Sequence, residues 1–251
     1  MTMKRDEQRV HRAHTAPCQE PCARSCTGPS LPEGAVDPLP VALGLDQMDD
    51  YRQQFRDMRR QCGGREAVEH WSGTLLDGWL SWIACEEGRE RPSLDDASWV
   101  AHLVVGINEV LSIRDALILT LLTGCGTGEG RAEGQVMTRR MLVDIAAQPH
   151  SSEHARVMSD TLNRVFHTSQ SPQAQSRCRR GLVLLKAICA SVPEECRVQA
   201  LAMIAYISWW LGEAGARAHA LKALELDERC TLAAIVICAL EQNIHPNGFR
   251  S

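Results

Sequence analysis

Residues 119–130, LTLLTGCGTGEG, admit two readings, and the choice between them sets the fold. As a strand followed by a loop, the stretch belongs to a layered α/β domain that seats a nucleotide-like cofactor. As a helix end followed by a loop, it is a joint in an all-helical chain. The residues before the glycines favour the joint: the apolar run ILTLL continues a helical period from Ile113 and carries no turn signal of its own. Nor do the glycines match a phosphate cradle. No Lys-Ser/Thr pair follows them, GxGxxG spacing is absent, and Glu129 and Glu133 would repel a phosphate.

The cofactor reading has one coincidence behind it. Class I methyltransferases place a loop of this kind after their first strand, where missing Cβ atoms admit S-adenosylmethionine. By analogy with dinucleotide sites, an acid about twenty residues later binds the ribose hydroxyls. Gly124, Gly126 and Gly128 would form that loop, and Asp144, in MLVDIA, would be the acid. Against this, Leu122 stands where such loops carry an acid. The following helix would open on the polar run Arg131-Ala-Glu-Gly134. No series of short β-branched runs follows Asp144 to build a doubly wound sheet. The methyltransferase is therefore the alternative, and an all-α, irregular multi-helix bundle is the expectation.

Working outward, residues 1–42 read as a disordered leader. Six prolines break any period, and apolar side chains are too sparse to offset the entropy of ordering. Within the leader lies His11-x2-His14-x3-Cys18-x3-Cys22-x3-Cys26, a set of soft metal ligands. Its three-residue gaps are unlike the paired spacing of compact zinc knuckles, and Pro21 breaks the helix that would align them. Reduced, unliganded thiols are the reading, and neither metal nor cofactor is expected.

Beyond the leader the pattern is helical throughout. The sequence predicts an N-terminal helical part at 43–123, a glycine-rich loop at 124–134 and a C-terminal helical part at 135–247. Tyr51, Phe55 and Met58 mark one stripe, stopped by Gly63-Gly64, and Val68, Trp71, Leu75, Trp79 and Trp82 mark the next, ending near Gly88. Spacing of this kind denotes core packing. Ser93 is expected to cap a helix through Trp99, Leu103 and Gly106, and Ser112 to cap one at 113–122. Helices are expected at 136–147, from Ser151/Ser152 to Phe166, and, after the linker HTSQSPQAQS, at 177–191, 194–211, 214–226 and 231–242.

The last three helices are the most informative. The helix ending at Trp209-Trp210 is apolar on nearly every face, so it should lie at the centre of the stack. Gly212 ends it. An alanine-rich helix follows, closing in KALELD, and Leu232, Ile235, Val236 and Ala239 of the last helix are expected to face that pair. Glycine, an alanine-rich helix and KALELD together resemble a tetratricopeptide (TPR-like) hairpin. No second copy is visible upstream, so an array is not inferred.

The same segment resembles the end of the actinobacterial family known as domain of unknown function 4192. The features that carry it are Trp209, Gly212, the helix at 216–224, the helix at 232–240 and Pro246, with SIRDAL at 112–117 preceded by LDDASWVAHLV. The resemblance spans about residues 65–246 and covers only the family's helical C-terminal part. The signature LLGF.P..SLV of the family's other half is absent. It implies no established activity and brings no catalytic residues.

Composition narrows the partners. A hydrophobic fraction of 44% allows a sizeable core, and a net charge of −4 with pI near 6.1 gives no global attraction to nucleic acid or an anionic membrane. The first forty residues carry five basic and five acidic side chains, so no basic arm exists. No apolar run approaches the roughly 20 residues of a membrane span, and MTMKRDEQRV lacks the apolar core of a signal peptide. The eleven cysteines are scattered mostly through apolar segments, as reduced thiols of a cytoplasmic protein would be.

Candidate sites reduce to structural readings. Arg114 and Asp115, neighbours on a helix, point about 100° apart and should not share a small ligand; Asp115 suits the helix start and Arg114 a bridge to another helix. His70, His102 and His219 lack metal-spaced partners, and no cysteine has an evident base beside it. No catalytic, cofactor or metal residue is assigned. The expectation is a non-enzymatic helical module that binds a protein or peptide, and neither nucleic acid nor membrane.

Overall fold

The computed structural model describes residues 42–84, 96–125 and 137–246. The proposed leader with its His/Cys series, Gly88, Ser93, Gly126 and Gly128 lie outside the described residues. Within them the chain is all-α. The helices are α1 (Leu45–Cys62), α2 (Gly64–Ala84), α3 (Ala97–Glu109), α4 (Leu111–Thr123), α5 (Arg139–Ala147), α6 (Ser152–His167), α7 (Pro172–Ser191), α8 (Val198–Leu211), α9 (Ala216–Leu226) and α10 (Thr231–Glu241). A short 3-10 turn, Glu194–Cys196, precedes α8. The one extended pairing among the described residues is an isolated bridge between Cys125 and Met137.

Two helices organise the packing. α2 touches α1, α3, α4, α5 and α7, while α8 touches α3, α4, α7, α9 and α10. Both earn this position by composition. The α2 stripe of Val68, Trp71, Leu75, Trp79 and Trp82 is buried as its spacing requires, and in α8 every residue but Tyr206 is buried. No helix among the described residues is long and apolar enough to cross a membrane. The helical parts either side of Gly124 share one continuous core.

Tryptophans fix the first half. A buried indole N–H left without an acceptor is costly, so each such ring also dictates a direction. Trp71 Nε1 donates to the His102 carbonyl (2.9 Å), Trp79 Nε1 to Thr120 Oγ1 (2.8 Å), Trp82 Nε1 to the Arg180 carbonyl (3.2 Å) and Trp99 Nε1 to the Leu75 carbonyl (3.2 Å). These bonds tie α2 to α3, α4 and α7. Gly78 makes room for one of them: a Cβ there would lie 2.2 Å from Trp99 Nε1.

The second half is joined differently. α8 and α9 make the most extensive helix–helix contact, and the alanines Ala202 and Ala205 of α8 and Ala216, Ala220 and Ala223 of α9 are all buried. Small side chains let the two backbones approach closely. The chain after α10 is then tied back by Trp209 Nε1, which donates to the Ile244 carbonyl at 2.9 Å.

Several expected boundaries move. α3 begins at Ala97 under Asp96, whose carboxylate accepts from Ser98 N and Oγ, so Asp96 caps this helix where Ser93 was expected to. α4 starts one residue ahead of Ser112, whose hydroxyl instead donates to the Ala146 carbonyl in the last turn of α5 (2.6 Å). α5 begins later than expected, at Arg139, capped by Thr138. Half of the expected linker is helix: Pro172 supplies a preset φ at the first turn of α7, and the Ser171 side chain accepts from Ala174 N. The run at 194–211 divides into the 3-10 turn and α8.

Candidate functional site

The last hairpin leaves an open face. In α10, Leu232, Ala233, Val236 and Ala239 are buried against α8 and α9. Ile235, expected among them, is 56% exposed, because this register puts it on the flank of the buried stripe. Ala234 and Cys238 are exposed beside it, and no charged side chain occurs between Arg229 and Glu241. Leu221 of α9 and Ile244 after α10 are further exposed large hydrophobics. Charges border this surface: Arg217 faces Glu241 at 3.4 Å, and Lys222 binds Glu194 at 2.9 Å.

The glycine-rich stretch is seated on a helix end. Gly124 follows α4 directly, at φ +82°, with its N–H donating to the Thr120 carbonyl, so what precedes it is a helix and not a strand. Asp144 lies on α5, 3.7 Å from Arg140 within the same helix. Among the described residues nothing provides the pleated layer on which a nucleoside would lie between Gly124 and that acid.

The Arg114–Asp115 pair is more direct than the geometry of neighbours suggested. The long arginine side chain folds back, and its Nε and Nη2 both donate to Asp115 Oδ1 (2.9 and 2.7 Å). Its Nη1 donates to Gln199 Oε1 of α8 at 2.8 Å, the bridge to another helix that was expected. Arg114 is 6% exposed, so the pair and the amide together satisfy a buried charge. Tyr206 lies near Asp115; burial is the larger cause that pushes its phenol up, and the carboxylate adds to it.

The histidines and thiols have structural settings. His102 packs on Trp71 (centroids 4.3 Å apart), with Nδ1 at 2.7 Å from the Ser98 carbonyl. His219 Nδ1 meets the Gly215 carbonyl at 2.9 Å, and His70 is exposed beside Glu66. Burial pushes the Cys178 and Cys189 thiols up to about 12. Cys125 and Cys196 are raised too, by burial, which outweighs the opposing charges of Arg139 and Arg52. Thiols so raised are protonated at neutral pH and are poor nucleophiles. No group of three His, Cys, Asp or Glu side chains among the described residues is placed to hold a metal ion.

No family model, no curated protein and no solved structure matches the chain. The exposed face of α10 was not visible in the residue pattern, because a helix apolar all round gives no sign of which side is covered.

Proposed function

We propose that the chain is a non-enzymatic interaction module that receives a helical segment of a partner protein against the outer face of α10. The observation that carries this reading is that face itself: Ile235, Ala234 and Cys238 exposed on a helix without charge between Arg229 and Glu241. Stacked helical hairpins end in a polar outer surface when nothing follows them, since each unit buries its apolar side on the next. α10 lacks that polar surface. A partner helix with an apolar stripe would extend the stack by one layer, reading α10 at helical spacing. The TPR-like character of the hairpin belongs to the same proposal. On the residue pattern alone we also propose membership of the domain of unknown function 4192 family, which contributes no activity.

The test compares the chain with its Ile235→Glu variant in a crosslinking pull-down from a cell extract. A specific partner held by the parent chain and lost by the variant, with unchanged thermal stability, supports the proposal. A partner held equally by both, or none held by either, overturns it.

A further inference from the structure

The outer face of α10 carries charge at both ends and none between. Thr231, Ala234, Ile235 and Cys238 are exposed and follow one another at helical spacing, so they form a single stripe. Glu241 continues it at the carboxyl end, where Arg217 of α9 stands 3.4 Å from its carboxylate in solvent. At the amino end Asp227 is spent on the turn, its Oδ1 accepting from the Arg229 N–H at 3.0 Å. The side chains of Glu228 and Arg229 are exposed there and form no ion pair among the described residues.

Each end of the stripe therefore offers one acid and one base, and the middle offers only small or apolar side chains. A helix lying antiparallel on it brings its amino end to the carboxyl end of α10, which also sets opposed helix dipoles side by side. When that helix is another α10, Glu241 of each chain comes to the end that holds Arg229 of the other, and Arg217 comes to Glu228. A two-fold axis repeats both pairings, so opposite charges border the apolar centre on either side. With the axis midway between Ile235 and Cys238, each isoleucine lies against the smaller cysteine of the other chain, large opposite small. The surface contains its own complement.

We propose that the chain pairs with a second copy of itself through the outer face of α10, antiparallel about that two-fold axis. This names the partner for the open face of α10 and rests on the interaction reading of it. The stripe is short, eleven residues or about 16 Å, so the contact is smaller than that of an obligate dimer and the pair is reversible. Because the same patch is used on both sides, assembly closes at two copies.

Sedimentation velocity of the full chain, under reducing conditions and across a concentration series reaching the high micromolar range, tests this. A monomer that converts to a dimer with rising concentration, and to nothing larger, is expected. Ile235→Glu sets two carboxylates beside the axis and is expected to raise the dissociation constant about tenfold or more. Arg229→Glu opposes like charges at both ends and is expected to raise it about fivefold, and adding Glu241→Arg to the same chain is expected to recover most of that loss. A short bis-maleimide is expected to join Cys238 of one parent chain to Cys238 of the other, read by peptide mass mapping.

A chain that stays monomeric throughout the series overturns the proposal, as does a dimer indifferent to Ile235→Glu. So does a double charge reversal that weakens pairing further, or a dimer in which Cys238 is not joined to its counterpart. A monomeric chain that captures a different protein, and loses it on Ile235→Glu, overturns the second copy alone and leaves the interaction face standing. Failure of both pairing and capture overturns both.

Discussion

The two halves of the bundle are held together by opposite means. Around α2, large rings sit in fitted spaces, and each of Trp71, Trp79, Trp82 and Trp99 spends its one polar atom on a neighbouring element. Around α8 and α9, the buried side chains of α9 are alanines, and no side-chain hydrogen bond joins the two helices among the described residues. An indole bond accepts one partner in one orientation, whereas an alanine surface accepts whatever is small and close. The first arrangement closes a structure; the second can be continued by another helix, which is where α10 leaves its outer side open.

The largest test of that contrast is Trp79→Ala. The ring is fully buried and its N–H satisfies Thr120, so the loss combines a cavity with a buried hydroxyl deprived of its donor. A drop of about 3–5 kcal/mol in unfolding free energy is expected from urea titration. A loss below about 1 kcal/mol would mean that the ring does not pin α2 to α4.

Next come two overpacking variants, one in each half. Gly78→Ala puts a methyl 2.2 Å from Trp99 Nε1, and Ala220→Leu enlarges a fully buried residue of α9. Each is expected to cost about 1–3 kcal/mol. The difference lies in how: Gly78→Ala should shift the indole N–H resonance of Trp99, and Ala220→Leu should leave the indole resonances of Trp71, Trp79, Trp82 and Trp99 in place while moving those of Trp209 and Trp210 on α8. If both variants move the same resonances, the halves are not separately organised.

A smaller effect comes from α7, which touches both α2 and α8. Cys178 and Cys189 have thiols raised from 9.0 to about 12 by burial. Above pH 9 the unfolded chain ionises these groups while the folded chain keeps them protonated. The stability they confer is therefore complete below pH 9 and is lost as pH rises toward 12. The expected slope is at most about 1.4 kcal/mol per pH unit for each thiol. Cys189→Ala should flatten the alkaline limb of the curve; an unchanged limb would place the ionisation elsewhere. Ile235→Glu stands at the small end for stability, within about 0.5 kcal/mol, since it changes an exposed position.

Period and punctuation made most of the fold legible. The α2 stripe, the all-round apolar α8 and the glycine stops at Gly63 and Gly212 are local signals, and each appears where it was expected. Caps are less legible, because whether Ser93 or Asp96 caps α3 depends on where the backbone turns. The sequence also could not reveal the exposed face of α10. Ile235 and Val236 are alike in chemistry, and only packing separates the exposed one from the buried one.

The bridge between Cys125 and Met137 has a consequence for engineering. It brings the two ends of the glycine-rich stretch together before α5 begins, so α4 and α5 meet whatever length of chain runs between them. Closing a loop twice as long costs only about 0.6 kcal/mol more. Chain added between Cys125 and Met137 would thus meet a pairing that already holds the ends of α4 and α5 side by side.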